Sequence, residues 1–182
     1  IADTAAMRYI VIGTSGAGKS TFAAALAQAQ GCTYIELDQL FWGPHWQSVP
    51  TEQFRAATQQ ATTPARWVAD GNYSAVRDVL WGRGTHIVWL NYGRRTVWPR
   101  VLWRTIRRIG QRTPLFHGNR ESLRSAFFSR DSIVLWSLTT FTKNRRKYTA
   151  LRQDPQYRHL QWLEFTHPAQ AAAWLAAQRR AD

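Results

Sequence analysis

Cysteine is almost missing from this 182-residue chain: Cys32 stands alone, so no intrachain disulfide can hold the fold together. Long apolar runs are missing too. No stretch approaches the roughly 20 apolar residues that span a bilayer, which argues against a transmembrane helix and predicts no membrane partner. The histidines, at 45, 86, 117, 159 and 167, lack the spacing of a zinc-binding set. There is no internal repeat and no low-complexity tract. Residues 1–6 carry neither the basic start nor the apolar stretch of a secretory signal, and they read as an expression remnant ahead of Met7.

Acidic residues are scarce: 11 against 24 lysines and arginines, for a net charge of +13. Their distribution matters more than the total. Residues 1–93 hold six basic and six acidic side chains, whereas 94–147 hold twelve arginines and two lysines against only Glu121 and Asp131. A block this one-sided is either a surface for polyanions or an arginine-lined lid over phosphates.

What is present is decisive at the N-terminal end. Gly13-Thr14-Ser15-Gly16-Ala17-Gly18-Lys19-Ser20-Thr21 fits the G-x-x-x-x-G-K-[ST] pattern of a phosphate-binding loop. The β-rich run Tyr9–Ile12 precedes it, and the helix formers Phe22 to Gln28 follow it. The glycines let successive backbone N–H groups turn inward onto phosphates, and the opening helix adds its positive end. Lys19 is expected to reach the β- and γ-phosphates of ATP or GTP, and Ser20 to ligate Mg2+. With a single thiol and a nucleoside triphosphate partner, the expected location is the cytoplasm.

Strands and helices then alternate, which predicts an α/β fold with a parallel sheet and right-handed crossovers. Thr33–Leu37 reads as a second strand ending at Asp38, and Trp67–Ala69 as a third ending at Asp70. His86–Leu90 is the fourth strand and His159–Phe165 the fifth; a last helix starts at Thr166-His167-Pro168. Between the second and third strands lies an aromatic loop, Phe41 to Trp46, followed by a helix from Thr51, whose hydroxyl is expected to cap it, to about Ala61. One domain is expected over 7–182, with an acceptor-binding insertion at about 39–65 and a basic lid insertion at about 94–150. In the basic block, Trp98, Val101, Leu102, Ile106 and Ile109 share one helical face, expected to meet the core, and Arg100, Arg104, Arg107 and Arg108 share another. A second helix is expected from Asp131 into Lys143–Lys147, where the cations suit a helix C-terminus.

Both strand-end acids fall at the edge where open α/β sheets bind ligands. Asp70 is the candidate for orienting the metal's waters. Asp38 is the candidate base or hydrogen-bond partner for an acceptor hydroxyl. Arg120, Arg124 and Arg130 are candidate lid arginines over the moving phosphate, while Trp42 and Trp46 are candidates to stack or cover an acceptor. The reading that follows is a small kinase transferring a γ-phosphate to a nucleotide or another small acceptor. The alternative is a nucleic-acid-associated ATPase or polynucleotide kinase using the basic block.

The series GTSGAGKST, Leu37–Trp42 with Pro44 and Trp46, Trp67–Tyr73, and Gly118–Ser122 with Phe127-Phe128-Ser129 carries a further likeness. It resembles the adenylate-kinase-like P-loop proteins often labelled DNA topology modulation proteins, the FlaR-like branch, over nearly the whole chain after Met7. The resemblance implies a nucleoside-monophosphate-kinase-like three-layer fold with a five-stranded parallel sheet and a helical arginine-rich lid. It also implies that Asp70-Gly71 occupies the position of the Asp-Gly that ends the third strand of adenylate kinases, beside the acceptor, with Asn72 and Tyr73 following. Two departures stand out. Asn72-Tyr73-Ser74 replaces a Phe-Pro-Arg continuation, removing an arginine that would contact an acceptor phosphate, and Asn91 stands where relatives carry an aspartate.

Overall fold

The computed structural model describes residues 7–110 and 133–179. Five strands form one parallel sheet in the order β2-β3-β1-β4-β5: β1 Arg8–Gly13, β2 Thr33–Glu36, β3 Trp67–Asp70, β4 His86–Leu90 and β5 Gln161–Phe165. Among the described residues seven α-helices accompany them: α1 Lys19–Ala29, α2 Leu37–Phe41, α3 Thr51–Ala61, α4 Arg77–Arg83, α5 Arg94–Gly110, α6 Ile133–Gln153 and α7 Pro168–Gln178.

The strand period of two divides the core between the two faces of the sheet. Val11, Val68, Val88 and Leu90 point to the side covered by Phe22, Leu26 and Ala171 of α1 and α7. Ile10, Ile12, Ala69, Ile87 and Trp89 point to the other, against Leu37, Phe54, Leu80 and Tyr148. Because both faces are covered, β1 and β3 read as continuous apolar runs rather than as alternating ones. The P-loop therefore leaves the carboxyl end of the central strand, between β3 and β4.

Several boundaries differ from the sequence reading, each for a local reason. Strand β2 stops at Glu36, because Leu37 turns into the core and starts α2; Asp38 lies in the first turn of that helix rather than at a strand end. Pro50, not Thr51, occupies the N-cap of α3, and no side chain caps it. A short turn over Pro155–Tyr157 delays β5 to Gln161. Helix α6 runs on to Gln153, so the Lys143–Lys147 cluster sits mid-helix and does not complement a C-terminal dipole.

The apolar stripe of α5 also departs from expectation. Val97 and Val101 are buried beside Gly16, but Trp98, Leu102 and Ile106 are 38%, 43% and 48% exposed. Helix α5 packs through the narrow Val97/Val101 ridge, which leaves most of the stripe turned away from the core. The side chains of Arg108 and Ile109 lie outside the described residues. Among the described residues, no helix is long and apolar enough to cross a membrane.

Candidate active site

Glycine geometry shapes the loop between β1 and α1. Gly16 (φ 83°) and Gly18 (φ 87°) both take left-handed backbone, and a Cβ on Gly16 would strike the Val101 side chain of α5. The close approach lets α5 wall the loop. Gly18 precedes the first residue of α1, so Lys19 and Ser20 open the helix and its unpaired N–H groups face the carboxyl edge of the sheet. The Lys19 ammonium donates to the Thr14 carbonyl at 3.4 Å.

Strand pairing sets Asp70 level with Val11 of β1 and Glu36 of β2. Its two carboxylate oxygens are held separately. Ser20 Oγ donates to Oδ2 at 2.7 Å, and the Tyr34 hydroxyl donates to Oδ1 at 3.1 Å. Burial pushes the Asp70 carboxyl above the usual carboxylate range, against the pull of Ser20, the Lys19 charge and Tyr34. Burial likewise pulls Lys19 below the ordinary lysine value, opposed by the negative charges of Asp70 and Asp38 and reinforced by Arg104. Tyr34, half-buried and beside Asp70, is pushed well up by its loss of solvent and keeps its proton.

Asp38 reaches the same space from α2. The Tyr73 hydroxyl donates to its Oδ1, and burial together with the Asp38 charge keeps that phenol protonated. Asn72 faces the other way. Its Nδ2 donates to the Gly13 carbonyl at 2.6 Å, and its Oδ1 accepts from Gly13 N at 3.4 Å. The chain after β3 thus clamps the P-loop with one residue and the Asp38 carboxylate with the next. Gly71 (φ 141°) permits this turn because a Cβ there would lie 2.9 Å from Leu37 Cδ1.

An aromatic wall borders Asp38. Phe54 and Tyr73 pack on Phe41, with ring centroids 5.2 and 4.6 Å away, and Trp42 and Trp46 extend the series outward with centroids 5.7 Å apart. Both tryptophans are half-buried. His45 and Trp46 hold left-handed backbone at φ 57°, a costly arrangement for residues with a Cβ, which folds the loop back on itself.

Two members of the site escaped the sequence reading. Arg104 was legible only as part of an arginine stripe, yet its Nη2 donates to Ser15 Oγ of the P-loop at 3.3 Å, apart from Arg100, whose guanidinium lies over Tyr92. Its spacing from the buried pair Val97/Val101 was the available signal. Tyr34 had none beyond its place in a strand. Arg120, Arg124 and Arg130 lie outside the described residues. Asn91 serves the fold: it donates to Glu164 Oε1 at 2.7 Å, and Glu164 also pairs with Arg152 at 2.9 Å.

The donor set suits a small hard cation. The Ser20 hydroxyl and the Asp70 carboxylate are oxygen donors within 2.7 Å of each other at the mouth of a phosphate-binding loop, the setting in which Mg2+ is held by few protein ligands together with phosphate and water.

No protein-family model and no curated protein matches the chain. Solved structures do. A crystal structure of shikimate kinase from Bacteroides thetaiotaomicron superposes with a TM-score of 0.59 at 14% identity, covering 96% of this chain and 97% of that one. A gluconokinase from Sinorhizobium meliloti 1021 matches with a TM-score of 0.49 at 19% identity, covering 98% and 97%. The likeness to the shikimate kinase structure shows the fold of a P-loop kinase, with its five-stranded parallel sheet, as the sequence implied; the FlaR-like likeness rests on the sequence motifs alone.

Proposed function

We propose that the chain is a Mg2+-dependent small P-loop kinase that transfers the γ-phosphate of ATP or GTP to a hydroxyl of a small acceptor, nucleotides among them. The observation that carries this reading is the convergence on Lys19 of two carboxylates from different elements, Asp70 on the loop side and Asp38 on the aromatic side. In this reading Asp70 belongs to the donor and Asp38 to the acceptor.

In this reading the P-loop N–H groups and Lys19 hold the β- and γ-phosphates, and Arg104 approaches them from α5. Mg2+, held by Ser20 and Asp70, would neutralise phosphate charge. The acceptor lies against Trp42, Trp46 and the Gly71-Asn72-Tyr73 turn. Its hydroxyl oxygen attacks the γ-phosphorus as its proton passes to the Asp38 carboxylate. The bond from the γ-phosphorus to the bridging oxygen breaks, and that electron pair stays on the β-phosphate of the departing diphosphate. Tyr73 fixes Oδ1 of Asp38 and leaves Oδ2 for the proton. Arg120, Arg124 and Arg130 are proposed to close over the transferring group.

The test is phosphate transfer with Mg2+ and ATP across nucleoside monophosphates, nucleosides, polyols and short oligonucleotides, with Lys19→Ala as control. Lys19-dependent phosphorylation of one small acceptor is expected. Turnover that Lys19→Ala leaves intact would dismiss the mechanism.

A further inference from the structure

One cleft lies away from the P-loop. A groove of about 870 Å³ runs between the start of α5 and one face of α6, and no residue of the P-loop, nor Asp38 or Asp70, lines it. Arg94 and Arg95 form one side. Thr142, Arg145, Arg146 and Thr149, at the three- and four-residue spacing of a single helical face, begin the other, which continues to Gln153. At about 1.5 Å per residue this face is about 16 Å long.

Four guanidiniums converge there, and among the described lining residues none is acidic. The nearby acid Glu164 is engaged by Arg152 and Asn91. Arg94 is fixed in place: it donates to Thr142 Oγ1 at 2.6 Å and lies over Phe141 and Trp98, 5.3 and 5.6 Å from their ring centroids. Trp98 itself stays 38% exposed one turn along α5, with Arg94 against its ring, so a partly exposed indole adjoins the row of cations.

We propose that this groove binds single-stranded nucleic acid, with Arg95, Arg145 and Arg146 on successive phosphates and a base stacked on Trp98. A cationic channel with an aromatic platform at its side is the recurrent design for single strands. The alternatives fit less well. A second copy of this chain would set like charge against like, a bilayer would rest on a convex face rather than enter a cleft, and a lone small anion would leave most of the 16 Å face uncovered. Arginine, with its planar fork, suits phosphodiester oxygens better than lysine does. The inference does not depend on the kinase reading, since the groove shares no residue with that site.

The experiment is fluorescence anisotropy of the full chain with a labelled twelve-residue oligothymidylate over a range of salt concentrations. Three phosphate contacts give a slope of log affinity on log salt of about −2.1, and Arg145→Gln/Arg146→Gln, both exposed, should flatten it by about 1.4 while weakening binding roughly tenfold. Trp98→Ala should weaken binding by roughly five- to 100-fold and leave the slope alone. Unchanged affinity in either variant overturns the proposal. So does complete displacement of the oligonucleotide by equimolar inorganic tripolyphosphate, which would mark a small-anion site. Binding to phosphatidylserine vesicles without binding to the oligonucleotide would also overturn it.

Discussion

Asn72 and Tyr73 hold different partners, the backbone of Gly13 and the Asp38 carboxylate, which the proposed reaction assigns to two different substrates. Removing the Tyr73 hydroxyl frees one oxygen of Asp38 without touching the P-loop. Tyr73→Phe is therefore expected to lower kcat by about ten- to 100-fold, the scale of one hydrogen bond to a charged group, and to leave the Kd for MgATP unchanged in a direct titration. Asn72→Ala should do the opposite. It strips the side-chain partners from both backbone groups of Gly13, so ATP affinity should fall about tenfold while the acceptor KM stays near its wild-type value. If the two variants gave the same profile, the division of labour would be wrong. At this scale the sequence disclosed what is local. The P-loop residues follow from a contiguous motif, and Asp70 from a strand ending on an acid. Tyr34 and Arg104 could not be placed, because their partners lie 36 and 89 residues away and are set only by strand order and helix docking.

Among the elements, the segment after β3 must hold its position for that dipeptide to work, and α3 secures it. Arg55 on α3 pairs with both Asp78 oxygens and donates to the Ala75 carbonyl, which ties down the turn that follows Tyr73. The same guanidinium holds the Asp78 carboxyl down to about 2. A carboxylate lowered in this way stabilises the fold above the ordinary aspartate range, and that stabilisation is lost as the pH falls through about 2. Arg55→Ala should accordingly lower Tm slightly at pH 5, with the deficit shrinking steadily toward pH 2 in parallel thermal melts. A deficit independent of pH would assign Arg55 to packing alone. The five strands and five of the seven described helices were legible, since alternating apolar runs and helix formers repeat along the chain, but α2 and the short α4 were not expected. Element ends were less so: nothing local marks Leu37 as a core residue opening a helix, and the apolar face of α5 gave no sign that only Val97 and Val101 would be buried.

Across the whole molecule, the sheet order places β1 in the centre and gathers the donor loop, Asp70 and Asp38 at one edge, while the excess positive charge is concentrated in α5, α6 and the residues between them. Parallel topology and the P-loop were readable from the sequence. The position of the cations was not: Arg104 turns to the loop, and Arg145 and Arg146 turn to a groove elsewhere, though all belong to one basic block. The central claim is that Asp38 serves the acceptor while Lys19 and Asp70 serve the donor. It is tested most directly by measuring, for Asp38→Asn with the acceptor found in the transfer panel, both the single-turnover rate of phosphate transfer and the Kd for MgATP. Loss of at least about 100-fold in transfer with an unchanged Kd is the predicted result, the usual scale for removing a general base. An equal loss in both quantities, or full-rate transfer, would contradict it.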